Sequence, residues 1–200
     1  MKFSTAFLAA ATTLFFSQGA LAEILVAQVV GNIKNVTAVS QNASDVLSSL
    51  STSTSPSDVE TMSTTLANDF NTIITSLAAD VKAMDATSAF NDADAGPVVD
   101  ALSEFVEVHQ ALLATVIGKH SIFAQFFLTA PIVAVLRNLE AGIDDFAYSM
   151  IDLIPTRESN VTTDKNSLHD SVGNTITKYQ EPCVPSLLYP FFMPLCVSTS

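Results

Sequence analysis

The chain has 200 residues, 48% of them hydrophobic, and its 8 basic and 20 acidic side chains give a formal net charge of −12. This acidity opposes binding to nucleic acid or to anionic membrane surfaces, because both repel a negative protein. The apolar content excludes a disordered chain, and scarce glycine (6 residues) with no tryptophan favours helices over a β-sandwich.

The first 22 residues have the pattern of a secretory signal peptide. Lys2 gives a basic start, residues 6–16 are almost entirely apolar, and Ala20 and Ala22 stand at positions −3 and −1 of a cleavage site. We expect an extracellular mature protein that begins at Glu23, with a net charge of 7 minus 20, or −13. The alternative is a signal anchor. No later segment reaches about 18 uninterrupted apolar residues, so no transmembrane segment is predicted.

Two long amphipathic helices are predicted next. The first has one apolar stripe at alternating spacings of three and four: Val29, Ile33, Val36, Ser40, Ala43, Leu47 and Leu50. A cluster of serines and threonines then interrupts the pattern. The second helix is predicted to start here, with Ser55 as the N-cap, Pro56 at the favoured first position and Asp58 completing an arrangement like a capping box. Its stripe comprises Val59, Met62, Leu66, Phe70, Ile73, Leu77, Val81 and Met84.

A third and a fourth helix follow. Pro97 is expected to open the third helix and Gly118 to end it, with an inner face of Val98, Leu102, Phe105 or Val106, His109, Leu112 or Leu113, and Val116. A short phenylalanine-rich segment, residues 122–128, then leads to a fourth helix that starts near Thr129 and stops at Pro155. Its inner residues are Ile132, Val135, Leu136, Leu139, Ile143, Phe146, Met150 and Ile154.

The remainder predicts a short helix and an irregular tail. Asn160 is expected in a loop, and the final helix carries Leu168, Val172, Ile176 and Tyr179. Four prolines between residues 182 and 194 exclude a helical tail. The predicted fold class is therefore all-α: an antiparallel bundle of about five amphipathic helices in residues 23–181, followed by a proline- and phenylalanine-rich tail in residues 182–200.

The two cysteines, Cys183 and Cys196, both lie in this tail. In an oxidising compartment they predict one local disulfide. We expect the bridge to fold residues 187–194 back as a cap, because their apolar side chains would otherwise be exposed. The alternative is an extended tail that binds a partner. The spacing and the lack of further thiols argue against a redox pair or a metal site.

Three sequons predict N-glycosylation of a secreted chain, at Asn35, Asn42 and Asn160. Asn35 and Asn42 are seven residues apart, which places both on the same face of a helix.

No catalytic constellation is evident. His109, His120 and His169 are isolated and show no zinc-ligand spacing, and His109 is interpreted as a hydrogen-bonded core residue. Nucleophile elbows and glycine-rich phosphate loops are missing from the sequence, so we expect a protein that is not an enzyme and has no cofactor.

The phenylalanine-rich segment admits three interpretations. Its rings fill the core, line a gap that takes an apolar ligand, or expose Phe126 and Phe127 as a patch that adsorbs to a hydrophobic surface.

Several features of the chain resemble those of a known family, and the resemblance covers residues 29–179. A signal peptide precedes paired amphipathic helices rich in Ser, Thr and Ala. The third helix carries VHQALL (residues 108–113) and IGKH (117–120), and the fourth carries LRNLE (136–140) and closes with LIP (153–155). The chain thus resembles the fungal hydrophobic surface-binding and cell-wall galactomannoprotein family. The resemblance implies a secreted or wall-associated helical bundle that holds lipids or adheres to hydrophobic surfaces. The tail after residue 181 departs from the family pattern.

The predicted function is therefore binding of a fatty acid, another lipid or a hydrophobic surface. The alternative is a structural or effector-like interaction protein with a filled core. Helical phase predicts direct antiparallel packing of the third and fourth helices, with residues 123–128 as an apolar lid. The expected lining is Phe105, Leu112, Val116, Phe123, Phe126, Phe127, Val135, Leu139, Ile143 and Phe146. A carboxylate head group at the mouth would meet Lys119, His120 or Arg137.

Overall fold

The computed structural model describes residues 24–198, so the predicted signal peptide lies outside the described residues. In this part of the chain the fold is a five-helix bundle, as predicted, and a two-stranded hairpin follows it. The elements are α1 Val26–Ser48, α2 Pro56–Met84, α3 Asp92–Gln125, α4 Thr129–Leu153, a 3₁₀ turn Pro155–Arg157, α5 Glu158–Tyr179, β1 Cys183–Val184 and β2 Leu195–Cys196. None of these helices is long and apolar enough to cross a membrane.

The predicted apolar stripes form the core. All the stripe residues of α1 and all the inner residues expected for the fourth helix are buried. In α2 the stripe is confirmed except that Met62 and Val81 are half-buried, while their neighbours Ser63 and Asp80 are buried instead. Ser55 caps α2 as predicted, because its side chain accepts a hydrogen bond from the Asp58 amide at 3.2 Å.

The start of α3 differs from the prediction. The helix begins at Asp92, five residues before Pro97, because the Asn91 side chain accepts hydrogen bonds from the amides of Ala93 at 2.9 Å and Asp94 at 3.1 Å. Acidic residues in this first turn also favour the positive end of the helix dipole. Pro97 therefore lies inside the helix and costs it one backbone hydrogen bond.

The end of α3 also differs from the prediction. The helix continues through Gly118 to Gln125, because its apolar face continues and Phe123 is fully buried. A glycine costs a helix about 1 kcal/mol relative to alanine, less than burying a phenylalanine contributes. The connection to α4 is only residues 126–128. Here Leu128 donates to the Phe123 carbonyl at 3.0 Å, and Phe127 adopts a φ of 60°. This is a Schellman turn with phenylalanine where glycine is usual.

The expected direct pairing of α3 with α4 is wrong. α3 packs mainly on α1 and α5, whereas α4 packs mainly on α2 and α5, and α3 and α4 touch at few positions. Each helix has a wide apolar face, and two neighbouring helices are needed to bury it. The short connection between α3 and α4 does not determine which helices these neighbours are. The loop expected around Asn160 is also wrong, since α5 begins at Glu158, directly after the 3₁₀ turn.

The predicted disulfide between Cys183 and Cys196 is confirmed. It joins two directly opposed residues of the antiparallel β1–β2 pair, with their Cα atoms 4.1 Å apart. The tail is therefore a closed hairpin attached to the end of the bundle.

Candidate apolar binding sites

A narrow void lies in the bundle between α2, α3, α4 and α5. Its volume is about 20 Å³, and three of the predicted lining residues border it: Phe105, Ile143 and Phe146. The other lining residues are Leu77, Leu102, Val106, Ala147, Val161, Asp164, Lys165 and Leu168. Such a volume is near the minimum for one water molecule, so an acyl chain would have to push the helices apart.

The remaining predicted lining residues do not border this void. Five of them are ordinary buried core: Leu112, Val116, Phe123, Val135 and Leu139. Phe126 is half-buried and packs against Tyr189 of the hairpin, with 5.6 Å between ring centroids, whereas the Phe127 side chain is 77% exposed. The predicted lid is thus a tight turn with one packed ring and one exposed ring.

The predicted head-group residues are not brought together at one mouth. Lys119 donates from Nζ to the Ser48 carbonyl at the end of α1 at 3.4 Å and to the Leu50 carbonyl just beyond it at 2.7 Å. Arg137 is exposed on α4. His120 is buried beside the disulfide, with Nε2 3.8 Å from Cys183 Sγ. Burial, followed by the charge of Lys178, lowers the pKa of His120.

His120 and the two cysteines are the one group of the described residues whose donor atoms could hold a metal ion. Both sulfur atoms belong to the disulfide, which removes the thiolates that a metal would bind. The group therefore serves as packing between the hairpin and α3.

The interpretation of His109 as a hydrogen-bonded core residue is confirmed. Its Nδ1 lies 2.8 Å from Ser40 Oγ, and the ring packs against Phe70 and Phe105. Complete burial lowers the pKa of His109 to about 4, which keeps the imidazole neutral near pH 7. The pair links α1 to α3 inside the core.

The hairpin exposes most of its apolar side chains, so the expectation that it folds back as a cap is wrong. Leu187 is fully exposed and Phe191 is 88% exposed. The reason is that Phe123 and Tyr179 already close this end of the core, which leaves only Pro194 buried and Tyr189 half-buried within residues 187–194. The exposed apolar residues of the hairpin are Val184, Leu187, Leu188, Phe191, Phe192, Met193, Leu195 and Val197.

The hairpin is also free of charge. From Pro182 to Ser200 the sequence contains no acidic, basic or histidine side chain. Phe127 lies at the same end of the bundle, because its neighbours Gln125 and Phe126 both contact the hairpin. We call the exposed hairpin residues together with Phe127 the apolar tip. Exposed apolar surface of this extent on a protein usually marks an interaction site. The sequence signal for it was the phenylalanine and leucine run between prolines.

Residues 26–152 match the model of the family described as hydrophobic surface binding protein A. The hairpin lies outside the matched residues. A search of curated protein sequences gives no match.

Several solved structures share the fold at low sequence identity. AFMP4P in complex with palmitic acid superposes with a TM-score of 0.70 at 12% identity, covering 78% of this chain and 99% of that one. Ligand binding domain 1 of the Penicillium marneffei MP1 protein, complexed with arachidonic acids, gives 0.64 at 12% identity, covering 77% and 95%. Ligand binding domain 2 of the same protein, also with arachidonic acids, gives 0.68 at 11% identity, covering 82% and 98%.

Proposed function

Since this chain belongs to the hydrophobic surface binding protein A family, we propose that it is a secreted, non-enzymatic protein that binds uncharged hydrophobic surfaces through its apolar tip. The observation that carries this proposal is the hairpin, whose leucine and phenylalanine side chains point into solvent on an uncharged segment. The family description supports the kind of surface.

The energetics favour adsorption by the tip. Burying one large apolar side chain contributes roughly 1.5–3 kcal/mol. Leu187, Leu188, Phe191 and Phe192 together therefore offer several kcal/mol, before the cost of restricting the protein at the surface is subtracted. The disulfide already fixes the hairpin, so little further ordering is needed.

Charge distribution selects the surface. The acidic residues lie outside the hairpin, so the bundle stays hydrated while the tip contacts the surface. The mature net charge of 7 minus 20, or −13, disfavours an anionic membrane and leaves uncharged materials such as waxes or polyesters as partners.

Adsorption to uncharged polystyrene beads tests the proposal. We expect Leu187→Ser with Phe191→Ser to weaken adsorption at least tenfold, because two large apolar contacts are lost. The matched control is Leu25→Ser with Tyr148→Ser, which changes two exposed apolar residues elsewhere. Equal adsorption of the hairpin variant and the unaltered protein, or an equal loss in the control, would refute the tip as the binding surface.

A second candidate function is uptake of an acyl chain inside the bundle, and the mostly apolar lining of the void favours it. Solved structures with this fold hold palmitic and arachidonic acids. We propose that Phe105, Ile143 and Phe146 start the path and that the buried members of the predicted lining extend it as the helices separate: Leu112, Val116, Phe123, Val135 and Leu139. Ala147→Val would fill the void and should weaken binding of a dodecyl-chain ligand, whereas Ala38→Val on exposed α1 surface should not. Equal effects of the two variants would remove this candidate.

The alternative, a structural or effector-like protein with a filled core, predicts neither adsorption nor ligand uptake. Both experiments thus separate it from the proposed functions.

We also propose that the chain is cleaved after Ala22 and glycosylated at Asn35, Asn42 and Asn160, with the cell wall as one place of action. The exposure of the three asparagine side chains supports glycan attachment. Intact-mass analysis of secreted protein before and after glycosidase treatment tests both points. Retention of Met1 or an unshifted mass would contradict the corresponding proposal.

A further inference from the structure

Two consecutive residues of α5 set the polarity at the edge of the void. Asp164 and Lys165 are its only charged lining residues, and every other lining residue is apolar. A single-chain amphiphile whose tail entered the void would bring its head group to this edge. The charges there therefore decide which head group is accepted.

The cation at this edge is already paired. Lys165 Nζ lies 3.3 Å from Asp144 Oδ1 and 4.8 Å from the centroid of the Tyr148 ring. A ligand carboxylate would have to compete with Asp144 for this ammonium group.

The anion at this edge lacks a cationic partner. Ser103 donates a hydrogen bond to Asp164 Oδ2 at 2.9 Å. None of the ion pairs formed within residues 24–198 includes Asp164. Burial and then the charge of Glu107 raise the pKa of the Asp164 carboxyl, while the Ser103 hydrogen bond opposes them. A positive group would relieve both unfavourable effects.

We propose that the void takes single-chain amphiphiles with a cationic head group, such as long-chain primary amines, in preference to fatty acids. This inference rests on the acyl-chain function proposed above. The ligand ammonium group pairs with Asp164, and its tail lies against Phe105, Ile143 and Phe146. A carboxylate in the same place meets the charge of Asp164 and the nearby charge of Glu107, and the one lysine there is already paired with Asp144.

Three ligands with the same tail test the preference: dodecylamine, dodecan-1-ol and dodecanoate, measured by calorimetry at pH 7 with the full mature protein. We expect the amine to bind most tightly and the carboxylate most weakly. Asp164→Asn keeps the side-chain volume and a hydrogen bond to Ser103. It should lower the ratio of amine affinity to carboxylate affinity about tenfold. The amine loses its attraction to the half-buried Asp164 charge, and the carboxylate is no longer repelled by it.

The matched control is Asp170→Asn, which makes the same change of charge at an exposed position of α5 that does not line the void. It should leave the ratio nearly unchanged. Amine affinity should also fall in acid as Asp164 becomes protonated, while alcohol affinity should not. The alcohol reports any effect of acid on the bundle itself. In Asp164→Asn the acid dependence of amine binding should shrink, which separates Asp164 from Glu107, Asp144 and the His169–Glu140 pair, 3.7 Å apart on the adjoining turn.

The outcomes separate the inference from the function beneath it. If the unaltered protein binds none of the three ligands, acyl-chain uptake fails and the inference fails with it. Equal affinities for all three would overturn the head-group preference alone. So would tightest binding of dodecanoate, and its loss in Lys165→Met would then make Lys165 the head-group partner.

Discussion

Gln125, the last residue of α3, exchanges two hydrogen bonds with the backbone of Ser186 in the hairpin. Its Nε2 donates to the Ser186 carbonyl at 3.0 Å, and its Oε1 accepts from the Ser186 amide at 2.8 Å. With the contact between Phe126 and Tyr189, this pair fixes the orientation of the apolar tip relative to the bundle. The last turn of α3 thus positions a surface that lies more than 60 residues away along the chain.

Gln125→Ala should loosen the hairpin without destabilising the bundle. Loss of two partly buried hydrogen bonds costs about 1–2 kcal/mol, so amide exchange in residues 184–195 should become at least fivefold faster. The melting temperature of the helices should barely change. Gln41→Ala is the control, since Gln41 bonds only to Asp45 on the exposed face of α1. Unchanged exchange in the hairpin would show that other contacts hold it.

Reduction of the disulfide should act on the hairpin alone. By the chain-entropy model a loop of this size contributes about 3 kcal/mol, and both cysteines lie outside the five helices. We expect residues 183–196 to lose exchange protection while helical circular dichroism melts as before. A large drop in the melting temperature of the bundle would mean that the hairpin supports the core.

Phe127→Asn should stabilise the protein and weaken adsorption. Its φ of 60° lies in the left-handed region, which asparagine tolerates better than phenylalanine, and its side chain is exposed, so little packing is lost. We expect a gain of about 0.5–1 kcal/mol in denaturant unfolding. Phe126→Ser should instead destabilise, because that ring packs on Tyr189. Similar effects of the two substitutions would contradict this division of roles.

Asp80→Asn should stabilise the fold near pH 7. Burial raises the pKa of Asp80 to about 6, against a smaller opposing effect of the Asn32 hydrogen bond. The folded state therefore disfavours the charged form. The destabilisation caused by the Asp80 charge begins at about pH 4, the pKa of the carboxyl in the unfolded chain. It grows up to about pH 6 and has its full value at higher pH. We expect a gain of about 1–2 kcal/mol at pH 7 that disappears below pH 4.

The control for this pH dependence is Asp100→Asn, which removes a charge at an exposed position of α3. A gain that persisted below pH 4, or that also appeared in Asp100→Asn, would exclude Asp80 as its source.

Periodicity predicted much of this fold because a helix buries one face. The stripes from Val29 to Leu50 and from Ile132 to Ile154 are buried as predicted. The helix ends that were predicted from single residues are wrong where a stronger local signal lies nearby. Pro97 looked like a helix start, although the Asn91 cap lies ahead of it, and Gly118 looked like a helix end, although the apolar face continues to Phe123.

The neighbours of each helix could not be predicted in the same way. A stripe shows which face is buried but not which helix covers it, so the pairing of α3 with α1 and α5 was missed. The lining of the void is predictable to the same extent. Helical phase predicts Phe105, Ile143 and Phe146. It does not predict Asp164 and Lys165, because their position depends on the packing of α5 against α3 and α4. Exposure of Leu187 and Phe191 was missed because apolar residues were expected to be covered.

Labelling of exposed side chains on the adsorbed protein tests the central claim most directly. The protein would be modified by a short-lived carbene in solution and again on polystyrene beads, with the modified residues located by mass spectrometry. We predict that Leu187, Leu188, Phe191 and Phe192 lose most of their labelling on the beads, while Val46 and Tyr148, exposed on the helices, keep theirs. Unchanged labelling of the hairpin, with protection on a helical face instead, would contradict the account.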